Sequence, residues 1–136
     1  MENKKVVVEI SFIGNNFCAY IPQLPGCVAT GKTPEKIKQN ISEAVAFHVE
    51  GSLKDRDPLP KIFKDNYQLT YKFDAQSLLK YYKGTFTNAA MERLTGINQR
   101  QLSHYLNGIK KPRTTQIKKI QTALHKLGQE LIEVEL

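Results

Sequence analysis

Two prolines near the middle of the chain do most to limit how it can fold. Residues 54–60 read KDRDPLP, and each proline disfavours helix at the residue that precedes it. This run therefore reads as a turn or linker that ends one folded segment before the next begins. A chain of 136 residues leaves room for two small domains. We place them at residues 1–60 and 67–136, with a linker over residues 61–66.

Charge is divided unevenly between the two halves. Residues 1–74 carry ten basic and nine acidic side chains, whereas residues 75–136 carry ten basic and only four acidic ones. Most of the net charge of +7 therefore lies in the second half. A concentrated positive field raises the affinity for polyanions such as nucleic acid. Charge alone is equally compatible with the solvated surface of a basic protein.

Composition and cysteine content indicate a cytoplasmic protein. Hydrophobic residues make up 40% of the chain, and no apolar stretch approaches the length of a membrane-spanning helix. No basic and then apolar segment opens the chain, so we expect neither a signal peptide nor a membrane partner. With two cysteines, we expect free thiols in a reducing compartment.

The beginning of the chain has the pattern of three short strands. Apolar residues alternate over residues 6–13 with the period of two that is typical of a strand. The Gly-Asn-Asn sequence at residues 14–16 suits a tight turn, and residues 17–21 resume the strand pattern, so we predict a hairpin. A third short strand is predicted over residues 27–30.

A well-marked helix follows these strands. Thr33 can cap it, Pro34 fits its first position, and Gly51 is expected to end it. One apolar stripe recurs at helical spacing in between: Ile37, Ile41, Ala44, Val45 and His48. The order β-β-β-α predicts the α+β class, with an antiparallel sheet and one helix across its face.

One run in this half has a recognisable pattern. Residues 19–31 read AYIPQLPGCVATG, and Thr-Pro-Glu follows at residues 33–35. This aromatic residue, Pro-x-Leu-Pro-Gly turn and capped helix resemble the HicB family of antitoxins, over about the first 60 residues. The resemblance implies a truncated ribonuclease H-like fold that binds and occludes a small toxin ribonuclease, HicA. The residues that we select as toxin contacts lie in the turn: Tyr20, Ile21, Pro22 and Leu24.

Metal-dependent nuclease chemistry is not expected of this chain. Ribonuclease H chemistry needs several carboxylates around two divalent ions, and only Glu9 lies within the first predicted strand. The three histidines and two cysteines show no metal-ligand spacing. We therefore expect no enzymatic activity, no catalytic residue, no metal and no cofactor. Cys18 and Cys27 are interpreted as small apolar residues of the sheet.

The second half has the pattern of a helix-turn-helix. Thr87 caps a helix that ends at Gly96, where a left-handed residue is favoured. Asn98 and Gln101 have the spacing of a capping box for the next helix, which ends at Gly108. Two capped helices joined by a tight Gly-Ile-Asn turn indicate a helix-turn-helix, with an arbitrary helical bundle as the alternative.

Residues 87–108, with the KKPR sequence at residues 110–113, resemble the Cro/repressor-type DNA-binding domain. Glu92 departs from that pattern, because the family usually has a small alanine there between the two helices. The resemblance implies binding to double-stranded operator DNA. The residues that it places at the DNA are Asn88, Asn98, Gln99, Arg100, His104, Lys110, Lys111 and Arg113.

These residues divide by the part of the DNA that they would contact. Gln99, Arg100 and His104 lie on the leading face of the second helix, where side chains reach base edges in the major groove. The asparagines at the helix starts and the basic loop would hold phosphates. Arg100 is the preferred base-reading residue, with a phosphate contact as the alternative.

The end of the chain indicates self-association. A last helix is predicted from Thr115 to Leu131. Residues 67–73 and 131–136 both alternate in polarity, so we predict two strands that pair with each other or across a dimer. One recognition helix covers only a few base pairs, and two-fold symmetry doubles the contacts with a palindromic site. We therefore expect a homo-oligomer, either a dimer or a tetramer.

Together these patterns predict a bifunctional antitoxin of a type II toxin-antitoxin pair. Its first half would occlude a small toxin ribonuclease, and its second half would repress the operon by binding the operator. The alternative is a stand-alone transcriptional repressor whose first half senses a small ligand. A neighbouring reading frame for a short basic protein would favour the antitoxin.

Overall fold

The chain forms two compact units in the computed structural model, which describes residues 4–136. One unit extends to Asp74, and the other begins at Ala75. The first contains a β-sheet and a long helix, whereas the second is built from four α-helices. This confirms the α+β class. None of the helices within residues 4–136 is long and apolar enough to cross a membrane.

The first unit is a four-stranded sheet with one α-helix packed on it. The sheet order is β3-β2-β1-β4, in which β1 pairs with β2 and β2 pairs with β3 antiparallel. The elements in chain order are β1 (Lys4–Ile13), β2 (Asn16–Tyr20), β3 (Val28–Gly31), α1 (Pro34–Asp55), a short 3-10 helix (Lys61–Lys64) and β4 (Tyr67–Phe73).

The strand predicted over residues 67–73 is present, and within the chain it pairs with β1, a partner that the sequence did not predict. β4 runs parallel to β1, with Val6 opposite Leu69 and Ile10 opposite Phe73. Leu69, Tyr71 and Phe73 of β4 are therefore opposite the buried Val6, Val8 and Ile10 of β1, and all three β4 residues are half-buried. This pairing moves the boundary from residues 61–66 to Asp74 and assigns β4 to the first unit.

Helix α1 begins where the sequence predicts and ends later. Thr33 Oγ1 accepts a hydrogen bond of 3.0 Å from Lys36 N, and Pro34 takes the first position. The helix does not stop at Gly51, because the buried stripe continues through Ser52. It ends instead at Arg56, whose φ of 56° is left-handed. The buried residues of the helix are Ile37, Ile41, Val45, Val49 and Ser52.

The second unit packs its helices around one apolar cluster. Met91, Ile97, Leu102, Tyr105 and Ile120 are buried in it. The helices are α2 (Ala75–Tyr81), α3 (Asn88–Thr95), α4 (Gln99–Leu106) and α5 (Thr114–Ile132).

The strand predicted for residues 131–136 is wrong. Helix α5 continues to Ile132, and the four residues that follow it form no strand. Gln129 Nε2 donates a hydrogen bond of 3.4 Å to Glu133 Oε1 one turn further on, which favours helix at this end.

Candidate functional site

Local hydrogen bonds hold the turn between α3 and α4. Thr87 Oγ1 accepts from Ala90 N at 3.0 Å, and Asn98 Oδ1 accepts from Arg100 N at 2.8 Å, so both predicted caps are confirmed. Gly96 is left-handed with a φ of 76°, which also agrees with the sequence. Ile97 is only 3% exposed and anchors the turn in the core. The start of α4 is thereby fixed relative to α3.

The first residues of α4 are exposed, while the buried stripe of the helix lies on the opposite side. Gln99 and Arg100 are both exposed, as is the capping Asn98. Leu102, Tyr105 and Leu106 are the buried residues of α4. Helix α4 can therefore present its N-terminal side chains to a partner without disturbing the core.

Glu92 and Gln99 connect the two helices. Gln99 Nε2 donates a hydrogen bond of 2.9 Å to Glu92 Oε2. The Cro/repressor type usually has alanine at this position. Here the Glu92 carboxylate instead accepts a hydrogen bond that joins α3 to α4 at the surface. The Gln99 amide is oriented by this bond, and its oxygen remains an acceptor for a further contact.

Two side chains of α4 differ from the sequence prediction. Gln101 does not complete a capping box, because its Nε2 donates to the Tyr105 hydroxyl at 2.9 Å. His104 is half-buried instead of exposed, and its Nδ1 is buried without a hydrogen-bond partner. The backbone oxygen of His104 accepts from Ile109 N at 2.9 Å and from Lys110 N at 3.3 Å. His104 therefore also anchors the loop that follows α4.

That loop carries the predicted phosphate-binding cations. Lys110, Lys111 and Arg113 are all exposed and line an open polar groove with Gln101 and Tyr105. Arg113 also immediately precedes α5, whose N-terminus adds the positive end of a helix dipole. Asn88, the first residue of α3, is half-buried. This surface thus combines three cations with the exposed start of α4.

The turn predicted to contact a toxin is only partly on the surface. Tyr20 is 51% exposed and Pro22 is exposed, whereas Ile21 and Leu24 are 1% and 3% exposed. Leu24 N donates to Ile21 O at 3.0 Å, so the turn folds its two aliphatic side chains into the core. Of the four selected residues, Tyr20 and Pro22 remain available to a partner.

The structure also contains a groove that the sequence analysis missed. It is open and has a volume of about 380 Å³. One side is formed by the start of β3 and the other by the second half of α1. Its lining residues are Gly26, Cys27, Val28, Ala44, Phe47, His48, Gly51, Ser52 and Asp57. The signal in the sequence was Phe47, a large aromatic residue outside the apolar stripe of the helix.

Burial affects two titratable side chains of the first unit. Cys27 is buried, and burial raises the pKa of its thiol, which opposes formation of the reactive thiolate. Burial, and then the neighbouring Cys27, raise the pKa of Tyr67. Across residues 4–136, no three His, Cys, Asp or Glu side chains are grouped so that they could hold a metal ion.

Comparison with known proteins gives one family for the first unit. The family model described as "HicB_like antitoxin of bacterial toxin-antitoxin system" matches residues 6–74. That match ends at Asp74, the same residue at which the first compact unit ends.

Two curated relatives match shorter parts of the chain. An uncharacterized 14.9 kDa protein from the rep-hol intergenic region of Haemophilus phage HP1 is 36% identical over 52 residues, or 38% of this chain and 39% of the phage protein. A UPF0150 protein of Synechocystis sp. is 36% identical over 59 residues, or 43% of this chain and 73% of that protein. No solved structure matches the chain significantly.

Proposed function

This chain belongs to the HicB-like antitoxins of bacterial toxin-antitoxin systems, and from that membership we propose that it is an antitoxin with two binding activities. The first unit binds and occludes a small HicA-type toxin ribonuclease. The second unit binds operator DNA through α3 and α4 and represses transcription of its own operon. Both activities are binding events without covalent chemistry, and both take place in the cytoplasm, where the operator and the toxin are found.

The family match supports the toxin-binding activity. It covers β1 from Val6 onward and all of β2, β3, α1 and β4. An antitoxin implies a toxin partner, and the matched segment is the part of the chain with which that partner is expected to associate. Occlusion needs only a complementary surface, so no reactive group is required of this unit.

One observation carries the DNA-binding activity: α4 presents Arg100 at a capped N-terminus that buried Ile97 holds against α3. This is the arrangement by which a recognition helix of a helix-turn-helix enters the major groove. Arginine can donate two hydrogen bonds to guanine O6 and N7. Lys110, Lys111 and Arg113 follow α4 and are proposed to neutralise phosphates, in a half of the chain with a net charge of +6.

The second unit is also proposed to form a dimer or tetramer on DNA. It contains 62 residues, so its core is small, and one recognition helix reads only a few base pairs. Leu131 and Ile132 at the end of α5 are 60% and 78% exposed, which supplies apolar surface for a second copy. Two copies related by two-fold symmetry would match a palindromic operator.

The test is to co-express the chain with the short reading frame next to its gene and to purify it through a tag. We expect the neighbouring protein to co-purify and the complex to bind its own promoter more tightly than a random duplex of equal length. Absence of a stable complex would contradict toxin binding. A promoter preference without any protein partner would instead favour a repressor with a ligand-sensing first unit.

A further inference from the structure

Phe47 is the most unusual surface residue of the first unit. It lies in the middle of α1, and 80% of it is exposed. A phenylalanine has no polar atom with which to contact water, and aromatic residues that sit at a docking surface are common anchors of protein complexes. Its position beside the groove under β3 places it at the entrance to a concave surface.

The surroundings of Phe47 are acidic in a protein that is otherwise basic. Glu43 and Glu50 are exposed and lie four residues before and three residues after Phe47, on the same side of the helix. Between Gln39 and Leu53 they are the only Asp, Glu, Lys or Arg side chains, whereas the whole chain has a net charge of +7. Asp57 lines the groove as well.

The groove borders the edge of the sheet. β3 is the last strand in the order β3-β2-β1-β4, and Val28 at its start is 66% exposed. Further along the strand, Asn40 Nδ2 donates a hydrogen bond of 2.8 Å to Thr30 O, so α1 itself occupies that carbonyl. The accessible part of the edge is therefore its beginning, next to Phe47.

We propose that the cognate toxin docks in this groove, with Phe47 as its apolar anchor and with Glu43, Glu50 and Asp57 facing basic side chains of the toxin. The proposal rests on the toxin-binding function given above and assigns its location. A ribonuclease must bind the phosphates of RNA, so the surface that an antitoxin has to cover is positively charged. An aromatic residue with a carboxylate before and after it on the same helix face complements such a surface.

Charge argues against the two other occupants of this groove. A symmetric contact between two copies would bring Glu43 and Glu50 of one copy against the same residues of the other, and like charges repel across an interface. DNA is excluded by the same carboxylates, because they would face phosphates.

The test compares Phe47→Ala with Ile13→Ala in the full-length chain. Ile13 is also an exposed apolar residue, 68% exposed at the end of β1, and it does not line the groove. The probe is the short basic protein encoded next to this gene, and its dissociation constant is measured by calorimetry. We expect Phe47→Ala to weaken binding by about tenfold or more and Ile13→Ala to leave it within about twofold. Glu50→Lys should weaken binding as well, and more strongly at low salt.

The outcomes separate the location from the function. If the wild-type chain binds the probe and Phe47→Ala binds it equally well, the groove is wrong and the toxin-binding function stands. If the wild-type chain does not bind the probe, the toxin-binding function fails together with the location. If Phe47→Ala leaves the affinity for the probe unchanged but lowers the oligomer mass measured by light scattering, a second copy occupies the groove and the proposal is overturned. Both alanine variants must keep the wild-type melting temperature, as exposed positions should.

Discussion

Side chains at the start of α4 differ in whether a hydrogen bond within the unit already holds them. Arg100 is exposed, whereas its neighbour Asn98 is committed to the cap of α4 through Arg100 N. The Gln99 amide already donates a hydrogen bond to Glu92, which limits the directions in which it can contact a base. This leaves Arg100 as the side chain of the first turn of α4 with the greatest freedom to contact a base.

Arg100→Ala is expected to weaken operator binding by about 1–3 kcal/mol for each bound copy and to relax the sequence preference at one position of each half-site, because a bidentate contact with guanine is lost there. Titration of the operator and of single-base operator variants, followed by fluorescence anisotropy, measures both effects. An unchanged affinity for the operator would contradict the assignment of α4 as the recognition helix.

Lys111→Ala serves as the matched comparison, since Lys111 is also exposed but is proposed to contact phosphate. It should weaken operator and random duplex to a similar extent and lower the slope of log K against log salt concentration by about one for each bound copy, and so by about two for a dimer. Binding curves at several salt concentrations provide the measurement. A loss confined to the operator would instead make Lys111 a base-reading residue.

At the scale of whole elements, the chain bends tightly between β3 and α1. A Cβ atom at Gly31 would lie 2.8 Å from Ile37 N and 3.0 Å from Ile37 Cα, so the strand can pass this close to the helix only because residue 31 is glycine. Gly51, inside α1, has no atom within 4 Å of the corresponding position. The same substitution should thus have opposite effects at the two glycines.

Gly31→Ala is expected to destabilise the first unit by about 1–3 kcal/mol, because backbone must move to admit the methyl group. Gly51→Ala is expected to stabilise it by about 0.5–1 kcal/mol, since alanine is favoured over glycine inside a helix. Urea unfolding monitored by circular dichroism gives both free energies of unfolding. Equal effects of the two variants would refute the close approach of α1 to β3.

The sequence was sufficient for features that depend on neighbouring residues. The caps at Thr33, Thr87 and Asn98 involve partners two or three residues away, and all three are present. The partner of β4 was not predictable in this way, because Val6 and Leu69 are opposite each other although β2, β3 and α1 lie between them in the sequence. Burial of Ile21 and Leu24 was missed for the same reason: their turn folds back on a core formed by distant residues.

At the scale of the whole molecule, the two units carry different charges and therefore suit different partners. The first unit, with nearly balanced charge, has an acidic surface around Phe47, while the second has ten basic and four acidic side chains. The affinity for DNA should consequently fall steeply as the salt concentration rises. The apolar contact proposed for Phe47 with the toxin should contribute little to the salt dependence of toxin binding.

For a dimer in which Lys110, Lys111 and Arg113 of both copies contact phosphates, the plot of log K against log salt concentration should have a slope of about −5. Operator titrations from low to physiological salt measure this slope, and the Phe47→Ala variant is the control that should share it. A slope near −1 would be incompatible with six phosphate contacts.

The parallel pairing of β4 with β1 also affects when the sheet can be completed during synthesis on the ribosome. A nascent chain that has emerged only as far as residue 66 holds three strands and α1, but the outer edge of β1 still lacks its neighbour. The four-stranded sheet can therefore be completed only after Phe73 has left the exit tunnel. A fragment cut at residue 60 would be left permanently in that unfinished state, with an open edge prone to aggregation.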